Sequence, residues 1–367
     1  MAEIQMDDIP DLVHSTLKDL GRPRFQQIAQ NMRQYEAVQQ WFRKDKVQFE
    51  EGIGVRRNLM TRLSRQGRHL GITTTVSADI PQLMDDIQVP WRHYYTPWEF
   101  TYDELLANKG KALIYKVIQP RRMDALIGMA EDLEAKAWQS PTLADTLSPY
   151  GLPYWIVYTA STTGAFVGTY PSGHTTIAGL SLTDSPNFKN YSHTYTSVTK
   201  ADLIKKMRKG FRAIRWRSPT TNMDYSKSSY ESLRLYTNET TVASLEDVGE
   251  AQNENLGRDL APLAEQGSPG AAKGTDVERA NGELLFRRVP VRHVPQMDDT
   301  AVFTAPTNPV YMIDNSTFYP VCMTGDFMRE EKPKQLENQP RVFRVDIWLT
   351  YNYICHDRRR NAVFATA

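Results

Sequence analysis

An α+β fold is what this sequence predicts, on three observations. Phe343, Val345, Ile347, Leu349, Tyr351 and Tyr353 alternate with Arg344, Asp346, Trp348, Thr350 and Asn352, the two-residue period of an unusually long strand. Met123, Leu126, Ile127, Ala130, Leu133, Ala137 and Trp138 recur at helical steps within a stretch from about Gly110 to Trp138. From Gly52 to about Tyr102 the pattern is extended, arginine-rich at first and aromatic later.

Composition limits the function. At 367 residues and 42.0 kDa the chain has room for one large domain or two smaller ones. A formal charge of +1 and a pI near 7.7 argue against a dedicated nucleic-acid binder, leaving only local contact. Cys322 and Cys355 lack metal-ligand spacing and are too few for a disulfide framework, so isolated buried thiols are expected. No apolar run approaches the roughly 20 residues of a membrane helix. Met1-Ala2-Glu3-Ile4 lacks the features of a signal peptide, and use in cytosol-like conditions is expected.

Taken in order, the first fifty residues predict two short helices broken at Gly21-Arg22-Pro23. Phe25, Ile28, Met32, Tyr35, Val38 and Phe42 make one apolar stripe that needs cover, from a partner or from the chain's own domain. The segment 52–102 predicts a long hairpin. Arg56, Arg57, Arg62, Arg65 and Arg68 meet no acidic residue between Val55 and Gly71, and Thr73-Thr74-Thr75-Val76 is β-prone. Tyr94, Thr96, Trp98, Phe100 and Tyr102 form the return limb, sharing one face. Such a ribbon buries too little surface alone and is expected to lie on something, such as another subunit. Nucleic acid is a weaker target for these arginines, because the ribbon has no glycine-rich phosphate cradle.

In the helix that follows, Arg121, Arg122, Glu131, Asp132, Glu134 and Lys136 fill the polar positions. Pro120 predicts a kink or two abutting helices, and Gln139-Ser140-Pro141 a stop. From there to about Thr300 the chain reads as a separate mixed module. Tyr154-Trp155-Ile156-Val157-Tyr158 is expected as a short buried strand, followed by a Gly/Ser/Thr-rich loop through Pro186. Thr199 and Asp202 suit a capping box for a helix that buries Leu203, Met207, Phe211 and Ile214. Its remaining face carries Lys205, Lys206, Arg208, Lys209, Arg212, Arg215 and Arg217, a solvated side or a local contact for nucleic acid. Leu233–Tyr236 is expected as a strand, Val242–Leu256 as a helix, and Gln266–Gly282 as a loop tip. Asn308–Asp314 is a possible partner for the long final strand, and His356–Asn361 reads as a polar terminal cluster.

Enzyme signatures are weak. Pro171-Ser172-Gly173-His174-Thr175 matches the core of the vanadium haloperoxidase and acid phosphatase signature, in which a histidine attacks phosphorus. Its companions are missing: Lys18 and Arg22-Pro23 stand at the wrong spacing, and no downstream Ser-Arg, His and Asp follow. The seven histidines show no His-Glu-X-X-His pair, and no Walker loop, dinucleotide-binding glycine pattern or Gly-X-Ser-X-Gly elbow occurs. No catalytic, cofactor-binding or metal residue is assigned.

Phe100 to Pro141 resembles major capsid proteins of tailed bacteriophages, with Asn108-Lys109-Gly110-Lys111 opening the helix and Ala137-Trp138-Gln139-Ser140-Pro141 closing it. The resemblance extends through Tyr154–Val157, Pro186-Asn187-Phe188-Lys189-Asn190-Tyr191, Val198–Met207, Asn253–Gly257 and Asn308-Pro309-Val310-Tyr311. It implies the Hong Kong 97-like fold: an N-terminal arm at 1–51, an extended hairpin loop at 52–102, a peripheral domain at 103–141 and 301–367 with a spine helix, and an axial domain at 142–300. Pro171-Ser172-Gly173-His174 would then lie in an axial-domain loop.

The implied function is self-assembly through pentamers and hexamers into an icosahedral virion shell around double-stranded DNA. Assembly would take place in the host cytoplasm, without membrane, with portal, scaffolding and decoration proteins as further partners. An encapsulin-like compartment would share the fold and enclose protein cargo. Some relatives cross-link a loop lysine to a neighbour's asparagine; this chain has no lysine between Lys46 and Lys109, so its shells are expected to be non-covalent. Because Phe25–Phe42 already looks like the arm, no large cleaved scaffolding segment is expected ahead of it. The expected subunit interface sets Arg56, Arg57, Arg62, Arg65 and Arg68, with no acid of their ribbon nearby, against Glu131, Asp132 and Glu134 of an adjacent spine helix.

Overall fold

The computed structural model describes residues 35–42, 46–61, 69, 71, 82–107, 111–171, 173–215, 232–255, 277–280, 283–303 and 305–366. Phe25, Ile28 and Met32, together with Arg62, Arg65, Arg68 and Arg217, lie outside them. The chain divides into two compact units. One combines Met1–Glu51, Trp91–Lys136 and Pro320–Asn352; the other combines Gly52–Pro90, Ala137–Tyr319 and Tyr353–Ala367. This division departs from the expected segments at 91–102, 137–141, 301–319 and 353–367, in all but the second for reasons that lie in the strand pairing.

The first unit is organised by strand Gln339–Cys355, where the long alternation predicted it. Arg92–Thr101 runs antiparallel to it in ten pairs, from Arg92 opposite Tyr351 to Thr101 opposite Val342. The aromatic limb is therefore not the return of the arginine ribbon. Its inward face, with Trp98 and Phe100 buried, completes the apolar face made by Phe343, Val345, Ile347 and Leu349; the rings of Phe100 and Phe343 stack at 5.5 Å. The sheet also takes in Gln48–Glu50, Phe318–Met323, Arg329–Glu330 and Lys334–Leu336.

The long helix is Lys111–Ala137, and Pro120 lies inside it, not between two helices. Leu133 and Ala137 of its stripe are buried, while Met123, Leu126, Ile127 and Ala130 are only half-buried. Arg122 forks onto the Glu330 carboxylate at 2.6 and 3.0 Å, and the Tyr94 hydroxyl donates to Asp132 at 2.6 Å. These bonds fix the helix to the sheet edge.

The second unit holds an eight-stranded sheet in the order Ala165–Val167, Asn190–Tyr195, Ala362–Thr366, Val310–Asp314, Leu233–Thr237, Val289–His293, Glu283–Phe286 and Val277–Ala280. Val310–Asp314 thus pairs with Leu233–Thr237 and Ala362–Thr366, not with the long strand. The chain does not end in a polar cluster either. Arg358 is fully buried, and the strand that follows carries residues 301–319 and 353–367 into this unit.

Helix Lys205–Ala213, preceded by a π turn at Lys200–Ile204, buries Leu203, Met207, Phe211 and Ile214 as its spacing predicted. The Thr199 hydroxyl accepts from Asp202 N at 3.3 Å, but the Asp202 carboxylate bonds Thr196 N and Ser197 N instead of returning to Thr199. Half of the capping box closes. Leu245 of helix Glu239–Asn255 joins the same core. Tyr154-Trp155 is helical within Leu152–Trp155 and not a strand: Pro153 sits in its first turn, and an unbroken apolar run has no period to tell the two apart. Both cysteines are free and buried, and burial pushes each thiol up to about 12.

Candidate subunit interface

The arginine ribbon is a two-stranded element, Gly54–Met60 against Met84–Pro90, with seven antiparallel pairs. Opposed residues share a face. Val55 with Val89, Arg57 with Ile87 and Leu59 with Asp85 point one way, and Val55, Ile87 and Val89 are buried. On this inner face Arg57 is half-buried and close enough to His356 to help hold that imidazole below its usual range, after burial and Arg360. Arg56 is exposed on the outer face with Gln88, Asn58 and Asp86. Gln88 N donates to the Ala178 carbonyl at 2.9 Å, anchoring the ribbon's base.

Two expectations about this contact are corrected. The ribbon does carry its own acids: Asp86 shares the outer face with Arg56, accepting from the Gln88 amide at 2.8 Å, and Asp85 accepts from Thr61 and from Ser185, the latter at 2.8 Å. Strand pairing brings them across from the second strand of the ribbon, which a local scan for neighbouring charge misses. Glu134 is not a surface carboxylate. It is fully buried, and its two oxygens accept from Ala37 N and Val38 N, both at 2.9 Å, holding the first turn of helix Glu36–Trp41. Those are unpaired helix N–H groups that a carboxylate satisfies well.

Glu131 and Asp132 are exposed on the spine helix, Asp132 taking the Tyr94 hydroxyl. Beside Asp132 an open groove of about 370 Å³ runs between the helix and strand Arg92–Thr101, lined by Trp98, Glu99, Asp124 and Gly128 among others. Among the described residues nothing lies within 4 Å of where a Cβ on Gly128 would stand, and none offers the buried Trp98 indole N–H an acceptor. Sequence patterning did not single out this groove, because its two walls are remote in the chain.

Of the Pro171–His174 motif, Ser172 lies outside the described residues. His174 N donates to the Pro171 carbonyl at 3.0 Å, its Nε2 lies 3.0 Å from the Pro141 carbonyl oxygen, and its ring meets Tyr154 edge-on at 5.1 Å. The imidazole is occupied in joining two loops. Among the described residues no group of three His, Cys, Asp or Glu side chains is placed to hold a metal, and no helix is long and apolar enough to cross a membrane.

No family model and no curated protein matches the chain. Solved structures do, over nearly the whole length. The chain is similar to the cyanophage A-1(L) capsid asymmetric unit with a TM-score of 0.58 at 12% identity, covering 95% of this chain and 97% of that one. It is similar to the capsid of a native GTA particle with 0.55 at 11%, covering 95% and 96%, and to the capsid of Myoviridae phage XM1 with 0.50 at 13%, covering 100% and 99%. At such identity the likeness is one of fold, and it covers both units and the ribbon. The chain has the α+β Hong Kong 97-like fold of phage capsid subunits.

Proposed function

We propose that this chain is a major capsid protein, whose copies join through pentamers and hexamers into an icosahedral virion shell around double-stranded DNA. The observation that carries this reading is the match to capsid subunits over 95% or more of both chains. No chemistry by the chain is required, and His174 serves as a loop tie. Head-to-tail contacts of one surface with a different one close rings of identical subunits.

In such rings the outer face of the ribbon, with Arg56 on it, meets Glu131 and Asp132 of an adjacent spine helix, beside the groove at Trp98 and Gly128, and the arginines that follow in the sequence, Arg62, Arg65 and Arg68, are assigned to the same contact. Each exposed pair contributes only about 0.2–1 kcal/mol. A closed shell repeats it at every subunit.

Sedimentation and negative-stain imaging of purified particles test the reading, together with assay of their contents after nuclease treatment. Closed shells protecting DNA are expected. Shells filled with one protein instead would point to an encapsulin-like compartment, and a soluble monomer that turns over a phosphate ester would overturn the reading. Arg62→Glu with Arg65→Glu should leave the subunit folded and weaken assembly, as high salt should for the wild type. Particles of normal size and salt resistance would remove these arginines from the interface.

A further inference from the structure

The unit built on the eight-stranded sheet carries a cationic surface to which the subunit contacts above give no role. Helix Lys205–Ala213 and the turn after it hold Lys205, Lys206, Arg208, Lys209, Arg212 and Arg215 and no acidic residue. With the apolar side in the core, Lys205, Lys209, Arg212 and Arg215 are the exposed cations. Their spacing of four, three and three residues places them along one stripe, about 15 Å long at the helical rise.

The hairpin turn next to this helix is built against its own preference. Glu283–Phe286 and Val289–His293 are joined by two residues, with Phe286 paired to Val289. Those two, Arg287 and Arg288, have φ of 49° and 66°. This is the turn that Asn-Gly adopts freely and that longer L side chains resist. The turn's backbone gains nothing from arginine at either position, so the two side chains call for a use beyond the turn.

Turn and helix meet at Phe211, whose ring has the Arg215 guanidinium 5.1 Å and the Arg287 guanidinium 5.8 Å from its centre. Among the described residues, no exposed large apolar side chain belongs to this surface. A protein partner is usually held by an apolar or aromatic anchor at the centre of the contact. A phosphate backbone is held by charge alone.

We propose that Lys205, Lys209, Arg212, Arg215, Arg287 and Arg288 bind the phosphate backbone of double-stranded nucleic acid, without regard to base sequence. The proposal rests on the shell reading and adds which face the enclosed nucleic acid touches.

The double variant Arg287→Asn with Arg288→Gly supplies the residues the turn favours. It should melt no lower than the wild type, yet bind a short DNA duplex, followed by fluorescence anisotropy, about tenfold more weakly at moderate salt. The slope of log affinity against log salt should become shallower by about 2, near 0.9 for each phosphate no longer neutralised. Lys205→Glu with Arg212→Glu, on the exposed side of the helix, should weaken binding further. Unchanged affinity and slope in both variants would overturn the proposal. So would normal DNA affinity in variants that no longer form shells, which would make the surface a subunit contact. A wild type that binds DNA through these residues but never forms shells would instead count against the shell reading, so the two failures are distinguishable.

Discussion

Arg358 is fully buried, and its guanidinium is held by three uncharged oxygens. Nε donates to the Trp155 carbonyl, Nη1 to the Phe188 carbonyl at 3.0 Å and Nη2 to the Asn190 side-chain oxygen at 2.7 Å, with the Phe188 ring 5.3 Å from the cation. Burial pulls its pKa down to about 10. One side chain thereby joins the helix at Leu152–Trp155, the loop at Phe188 and the strand from Asn190 to the last turn of the chain. Arg358→Met keeps the stem and removes every donor. Three buried acceptors are then stranded at about 1–3 kcal/mol each. Against that, the cost of keeping a cation out of water, several kcal/mol, disappears. The net expectation is a loss of about 2–4 kcal/mol, with Arg358→Lys between the two because one ammonium cannot reach all three oxygens. Urea unfolding of the subunit, followed by tryptophan fluorescence with Trp155 beside the lesion, measures it. A Met variant within about 0.5 kcal/mol of wild type, the range of an ordinary surface change, would refute the reasoning.

Gly210→Ala should destabilise by about 1–3 kcal/mol despite the better helix propensity of alanine, because a Cβ there would stand 2.4 Å from Phe364 Cζ and 3.1 Å from Tyr191 Cε1; thermal melting gives the sign. Burial raises the Asp357 carboxyl to about 6, outweighing the bond from Arg359 N and the nearby Arg360, which favour the anion. The folded state keeps a proton that the unfolded chain has released, so this group's contribution is present at low pH and is lost as pH rises from 3.8 to about 6. Asp357→Asn should abolish that loss, about 3 kcal/mol of it. The variant's difference from wild type across the window is the quantity to measure, since His356 beside it titrates in the opposite sense. Mature shells boiled in denaturant and reductant should run as a monomer near 42.0 kDa, since the ribbon has no lysine to cross-link; a ladder of multimers would contradict this.

What was legible in the sequence was whatever repeats with a period. The long strand at 343–353, the spine helix and the buried stripe from Leu203 to Ile214 announce themselves because their apolar residues recur along one face. Pairing between distant segments is not periodic and left no such mark. Tyr94–Phe100 reads correctly as a strand, yet its partner is Val342–Tyr351 near the other end of the chain, not the arginine strand before it. Asp85 and Asp86 become neighbours of the ribbon arginines only once the hairpin closes. Glu134 and Arg358 mislead for a shared reason: a charge in sequence is read as solvated, and each is instead buried by a set of polar groups that only the fold brings together. The groove at Trp98 and Gly128 is missed likewise, since a glycine within a helical pattern does not reveal what will stand across from it.

Assembly is the central claim, and electron cryo-microscopy of purified particles tests it most directly. The prediction is a closed icosahedral shell tiled by pentamers and hexamers of this chain, with the ribbon of each subunit lying over the spine helix of a neighbour. A chain that remains a monodisperse monomer, or a shell in which the ribbon's outer face at Arg56 and the carboxylates of Glu131 and Asp132 all face solvent, would contradict it.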